Sequence, residues 1–148
     1  MGEEDRHRQE RAENGTGRGE PARLCLVEDE MAIAEAISFL FEREGWQVEV
    51  VTDGAAAINA VRRVRPDIVI LDLMLPGRSG YDILRDIKAD PTLAGTQVLM
   101  LTARGQERDR ERAAALGVDR FMTKPFSNLE LVGTVRMMLE GAGEETEG

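Results

Sequence analysis

Five polar residues stand at or just beyond the ends of short apolar runs. Glu28 and Asp29 follow Leu24-Cys25-Leu26-Val27, Asp72 closes Asp67-Ile68-Val69-Ile70-Leu71, Thr102 follows Val98-Leu99-Met100-Leu101, and Lys124 comes shortly after Arg120-Phe121-Met122. Unbroken apolar runs of this length mark buried strands, and in an open α/β sheet the carboxyl ends of the strands form the functional edge. Two carboxylates about 4 Å apart repel by roughly 4 kcal/mol at an effective dielectric of about 20. Three gathered in one place therefore either hold protons or recruit a cation. A small, oxygen-only ligand set favours Mg²⁺, which keeps several waters and leaves positions for a phosphate oxygen. Lys124 adds a compact positive charge and Thr102 a hydroxyl donor for an anionic oxygen. The sequence has no Gly-rich Walker loop and no second catalytic base in view, so one carboxylate is the nucleophile of such a phosphoryl site. Asp72, on the central run, is the best candidate.

The elements that must position these residues alternate regularly. A strand over residues 24–27 leads to a helix with Ile33, Ala36, Ile37, Leu40 and Phe41 at three- and four-residue spacings, stopped by Gly45. Val48, Val50 and Val51 mark a second strand, and Ala56, Ala57, Ala60 and Val61 a second helix ended by Pro66. The third strand, 67–71, is apolar from Ile68 to Leu71, as a central parallel strand covered on both faces requires. A helix after Gly80 carries Ile83, Leu84 and Ile87, and a strand over 98–101 follows. A helix over 108–116 ended by Gly117, a short strand over 120–122 and a helix over 129–139 complete the pattern. Five βα repeats in about 120 residues predict a doubly wound five-stranded parallel sheet; a closed barrel usually needs about 250.

Composition narrows the function classes. At 148 residues and 42% hydrophobic, the chain suits one compact domain over residues 22–140. Residues 1–21 and 141–148, rich in Glu, Arg and Gly, have no periodicity and read as disordered tails. The net charge is −9, with no basic stripe, which argues against direct nucleic-acid or anionic-membrane binding. Cys25 is the one cysteine and lies inside an apolar run, so an internal disulfide is excluded and a buried, inert thiol in a reducing, cytoplasmic setting is expected. No apolar run is long enough to span a bilayer.

The strings Leu-Val-Glu-Asp-Glu (26–30), Leu-Asp-Leu-Met-Leu-Pro-Gly (71–77) with Gly80, Leu-Thr-Ala-Arg (101–104) and Lys-Pro-Phe (124–126) resemble the receiver domain of two-component response regulators. Each string alone is weak, but together they keep the family's order and spacing across residues 22–140. The resemblance implies a flavodoxin-like, three-layer (βα)5 sandwich. It implies that Asp72 accepts a phosphoryl group from a histidine kinase or a phosphotransfer protein. Asp29, Asp72 and the backbone carbonyl of Met74 would ligate Mg²⁺, with Glu28 acting through water. Lys124 would pair with the phosphoryl group, Thr102 would swing to hydrogen-bond it, and Phe121 would be the rotating switch aromatic. The Lys124-Pro125 bond would be cis. The readout surface would be the fourth helix, fifth strand and fifth helix, roughly residues 104–140. The molecule would be a stand-alone receiver, catalysing only its own phosphotransfer and controlling a noncovalent partner.

Departures from the pattern carry their own expectations. Glu28 stands where Asp is commoner, and its longer reach suits an outer-sphere role. Met74 and Arg104, each two residues past a site residue, occupy positions that tune phosphoryl lifetime in the family. Neither can position an attacking water, so slow self-dephosphorylation is expected. Arg104 resembles the subfamily that dimerises through the readout surface, where Arg110, Asp119 and Glu130 could pair. Arg120 and Thr134 replace an acid and a base used there, which points to a monomer or a weak phosphorylation-dependent dimer. Two other classes stay open: an aspartyl-nucleophile phosphohydrolase, which usually needs an acid where Met74 stands, and a phosphate-blind receiver used as a scaffold.

Overall fold

The computed structural model describes residues 20–103 and 106–144. The strands are β1 (Arg23–Val27), β2 (Gln47–Val51), β3 (Ile68–Asp72), β4 (Gln97–Thr102) and β5 (Arg120–Thr123). The helices are α1 (Met31–Arg43), α2 (Ala57–Val64), α3 (Gly80–Ala89), α4 (Glu107–Ala115) and α5 (Asn128–Glu144), with short 3₁₀ turns at Gly54–Ala56 and Pro91–Leu93. All five strands are parallel, in the order β2-β1-β3-β4-β5. This is the doubly wound sheet that the alternation predicts. The chain moves outward from β1 to β2, then crosses back to β3, so the winding reverses between β1 and β3.

Alternation along the three central strands builds two cores. Cys25, Val27, Val69, Leu71, Val98 and Met100 face one side, where Ala57, Ala60 and Val61 of α2 and Ile83, Leu84 and Ile87 of α3 cover them. Leu24, Leu26, Ile68, Ile70, Leu99 and Leu101 face the other, against Ile37 and Phe41 of α1 and Leu131 and Val135 of α5. Burial on both faces explains why these strands read as unbroken apolar runs. The edge strands β2 and β5 are mostly exposed or half-buried, in line with their mixed sequences. Cys25 is fully buried, and burial pushes its thiol up to about 12, so it is inert as expected.

Several local boundaries differ from the periodicity. In α1 the buried positions are Ala34, Ile37, Ser38 and Phe41, and Ala36 is exposed; with alanines on two sides of the helix, apolar spacing alone does not choose the face. Thr102 ends β4 instead of following it. α2 closes one residue ahead of Pro66, at Arg65, which takes the left-handed conformation with φ 50°. α5 runs to Glu144, past the 139 end and into the segment 141–148 read as a tail. Propagating a formed helix is cheap next to starting one, so glycines there do not stop it. Arg104, most of the 1–21 segment and residues 145–148 lie outside the described residues.

Candidate functional site

Sheet register brings the polar residues together. Val27 pairs with Leu71, so Glu28 is level with Asp72 across the reversal point. Asp72 pairs with Leu101, and Thr102, one position further, pairs with Thr123, the residue before Lys124. The backbone extends these ladders past the strand ends. The Leu73 N–H donates to the Leu101 carbonyl at 2.9 Å, and the Lys124 N–H to the Thr102 carbonyl at 2.7 Å. Glu28 and Asp72 thus surface at one level, and Thr102 and then Lys124 each one step further, along one edge of the sheet.

Glu28, Asp29 and Asp72 each offer a carboxylate oxygen, and the three lie within 4.8 Å of one another. Lys124 Nζ is 3.1 Å from Asp72 Oδ2, and the Asp72 side chain is only 12% exposed. Asp72 Oδ1 accepts the Met74 N–H at 2.9 Å, so both oxygens of this carboxylate are oriented. Glu28 is buried, and its Oε2 accepts the Glu30 N–H at 3.1 Å. Burial pushes Glu28 above the ordinary carboxylate range, and the Asp72 charge adds to this, while the Glu30 N–H pulls the other way. One lysine faces three acids, so the cluster carries an excess of negative charge that a hard divalent cation fits. Thr102 is fully buried, and Met74 is exposed at the rim.

The β3–α3 loop is held against this cluster by close backbone contact. The Gly80 N–H donates to the Leu73 carbonyl at 2.9 Å. A Cβ on Gly80 would lie 2.7 Å from the Asp72 carbonyl oxygen and 2.8 Å from Leu73 Cα, so only glycine fits. Ser79 caps α3 by accepting the Tyr81 N–H at 3.0 Å. The Lys124-Pro125 bond is cis, as the resemblance implied.

Phe121 is half-buried, packs against the core beneath β4, and carries the Arg110 guanidinium 5.2 Å from its ring centre. Arg110 also donates to Thr123 Oγ1 at 3.0 Å. Asp119 Oδ2 accepts from Lys88 Nζ and from the Val98 N–H, both at 2.7 Å. Two of the three residues considered for pairing between copies are therefore engaged within the chain. Sequence reasoning missed Tyr81 and Asp109, whose hydroxyl and carboxylate meet between α3 and α4 at 3.2 Å. Asp109 sits in a highly charged helix and reads as one more solvated acid, and no spacing links it to a tyrosine 28 residues away.

The chain is 42% identical over 122 residues to the sensory transduction protein RegX3 of Mycobacterium tuberculosis, covering 82% of this chain and 52% of that one. It is 39% identical over 117 residues to the phosphate regulon transcriptional regulatory protein PhoB of Escherichia coli, covering 79% and 51%. The chain thus spans about half the length of the curated relatives it matches. Among solved structures, the receiver domain of a signal transduction histidine kinase from Syntrophus aciditrophicus superposes with a TM-score of 0.75. Its identity is 33%, with 81% of this chain and 91% of that one covered. No helix among the described residues is long and apolar enough to cross a membrane. The family model of the response regulator receiver domain matches residues 24–136, and with the fold and these relatives it shows that the chain belongs to the receiver domain family of two-component response regulators.

Proposed function

We propose that Asp72 is the phosphoacceptor, taking a phosphoryl group from a histidine kinase or a histidine phosphotransfer protein. The observation that carries this reading is the pairing of Asp72 with Lys124 at 3.1 Å beside two further acids, Glu28 and Asp29. A carboxylate oxygen of Asp72 attacks phosphorus, the bond to the donor nitrogen breaks with its electron pair leaving on the imidazole, and an aspartyl phosphate forms. Lys124, already at the carboxylate, passes to a phosphoryl oxygen, and the Thr102 hydroxyl donates to another. Glu28, Asp29 and Asp72, with the Met74 carbonyl, would hold Mg²⁺. When bound, that ion offsets carboxylate repulsion and the charge of the incoming group.

The switch is a population shift. Moving an equilibrium from 1:99 to 99:1 needs about 5.5 kcal/mol of differential interaction, within reach of a dianion bonded to Thr102 and Lys124 in one state only. Phe121 is the aromatic that changes position, and α4, β5 and α5 form the surface read by a partner. Asp72 turns over no other substrate: the chain catalyses its own phosphorylation and slow dephosphorylation, in the cytoplasm. Both relatives are about twice as long, and PhoB is named a transcriptional regulatory protein, which favours a second reading of the output, a transcription module.

Intact mass spectrometry after incubation with acetyl phosphate tests the assignment. Wild type with Mg²⁺ is expected to gain one phosphoryl mass, and chelated wild type and Asp72→Ala to gain none. Equal labelling of Asp72→Ala, or no labelling of wild type, overturns it.

A further inference from the structure

α4 is attached to the molecule through very little apolar surface. Of its nine residues, Glu-Arg-Asp-Arg-Glu-Arg-Ala-Ala-Ala, only Asp109 and Ala113 are buried, whereas α3 buries five of ten. Hydrophobic burial therefore does little to fix its position. What holds it is polar and specific. The Tyr81 hydroxyl shares its one proton between Asp109 Oδ1 at 3.2 Å and the Asp109 carbonyl oxygen at 3.3 Å. The Arg112 guanidinium lies over the Tyr81 ring, 4.1 Å from its centre. Asp109 is 9% exposed, and its second carboxylate oxygen, Oδ2, has no hydrogen-bond partner.

A buried carboxylate oxygen without a donor is unfavourable and regains water as soon as its surroundings open. The contact that ties α4 down thus contains its own reason to let go. Tyr81 is also fixed to the Asp72-bearing loop. The residue before it, Gly80, is bonded to Leu73 at 2.9 Å and leaves no room for a Cβ against Asp72, and Ser79 holds the Tyr81 N–H. Movement of that loop reaches α4 through the Tyr81 side chain, which touches both Asp109 and Arg112.

We propose that Tyr81 and Asp109 form a latch between α3 and α4, which holds α4 in its resting position and couples it to the Asp72 loop by a route that bypasses β4 and β5. Opening the latch hydrates Asp109 Oδ2, releases Arg112 from the Tyr81 ring and leaves α4 anchored by Ala113 and by Arg110. The use of this latch in signalling rests on the function proposed above; the latch itself is a property of the resting chain.

Hydrogen–deuterium exchange of the full chain, without any phosphodonor, tests it. Tyr81→Phe keeps the ring and its contact with Arg112 and removes only the hydroxyl. The α4 amides are expected to exchange about tenfold faster, the scale of one hydrogen bond to a charged group, with α1, α5 and the central strands unchanged. Asp109→Ala is expected to accelerate α4 as well, and the double variant to exchange no faster than Asp109→Ala alone. Unchanged α4 exchange in Tyr81→Phe, acceleration spread over all helices, or additive effects in the double variant would each overturn the latch. Because no phosphodonor is present, the outcome is the same whether or not Asp72 takes a phosphoryl group, and failure of the latch leaves the reading of Asp72 untouched.

Discussion

At the scale of residues, the site is a balance of three acids against one lysine. Lys124 lies 3.1 Å from Asp72 with its side chain 31% exposed, so its charge is partly screened by solvent. Removing that charge leaves more negative potential for a cation. Lys124→Met is expected to bind Mg²⁺ about fivefold more tightly than wild type, from a Coulomb term of about 1 kcal/mol in a water-like dielectric. Calorimetric titration of both proteins reads this, and equal affinities would show that Lys124 does not sense the cluster. Met74 offers no group to orient a hydrolytic water and points its side chain outward at the rim, so the phosphorylated chain is expected to persist for minutes or longer in a mass-spectrometric time course. A half-life of seconds would contradict this. The acids were legible because each follows an unbroken apolar run, a pattern set by burial on both faces of a strand. The Tyr81–Asp109 contact was not legible, since a carboxylate in a charged helix gives no sign of being buried.

At the scale of elements, each polar group is fixed by the strand or turn that delivers it. The register Val27–Leu71 and Asp72–Leu101 sets the stagger of the site to within one residue, and a slip of one would turn every core side chain to the opposite face. Gly80 shows how tightly the β3–α3 turn is drawn onto Asp72. Gly80→Ala is expected to destabilise the fold by about 1–3 kcal/mol through overpacking, read as a lower urea midpoint, and a midpoint equal to wild type would mean the turn can relax. Helices and strands were found by periodicity because their apolar stripes are strong. Their ends were harder: α5 continues through glycines to Glu144, and two alanines on α1 gave periodicity no basis for choosing Ala34 over Ala36. Local propensity differences of under about 1 kcal/mol are overridden there by packing and helix propagation.

At the scale of the whole molecule, a reversal in strand order places an acidic edge on a stable double core, and the site's charge links metal, protons and stability. Glu28 is held above its ordinary range by burial and by Asp72. With the folded value raised, its contribution to stability is full below the ordinary glutamate range and is lost as pH rises through the folded value. Mg²⁺ needs the ionised form, so stabilisation by the ion should grow across that same window. At roughly ten times its dissociation constant, Mg²⁺ is expected to raise Tm by roughly 3–6 °C at about pH 8 and by clearly less at about pH 5; a gain independent of pH would separate Glu28 from the metal. The central claim is narrower, that one carboxylate among 28 acidic residues is the acceptor. Borohydride reduces an aspartyl phosphate to homoserine, and peptide mapping after reaction with acetyl phosphate and Mg²⁺ locates it. Conversion is expected at position 72 and nowhere else, and conversion at Asp29, at another acid or at none would contradict the assignment of Asp72.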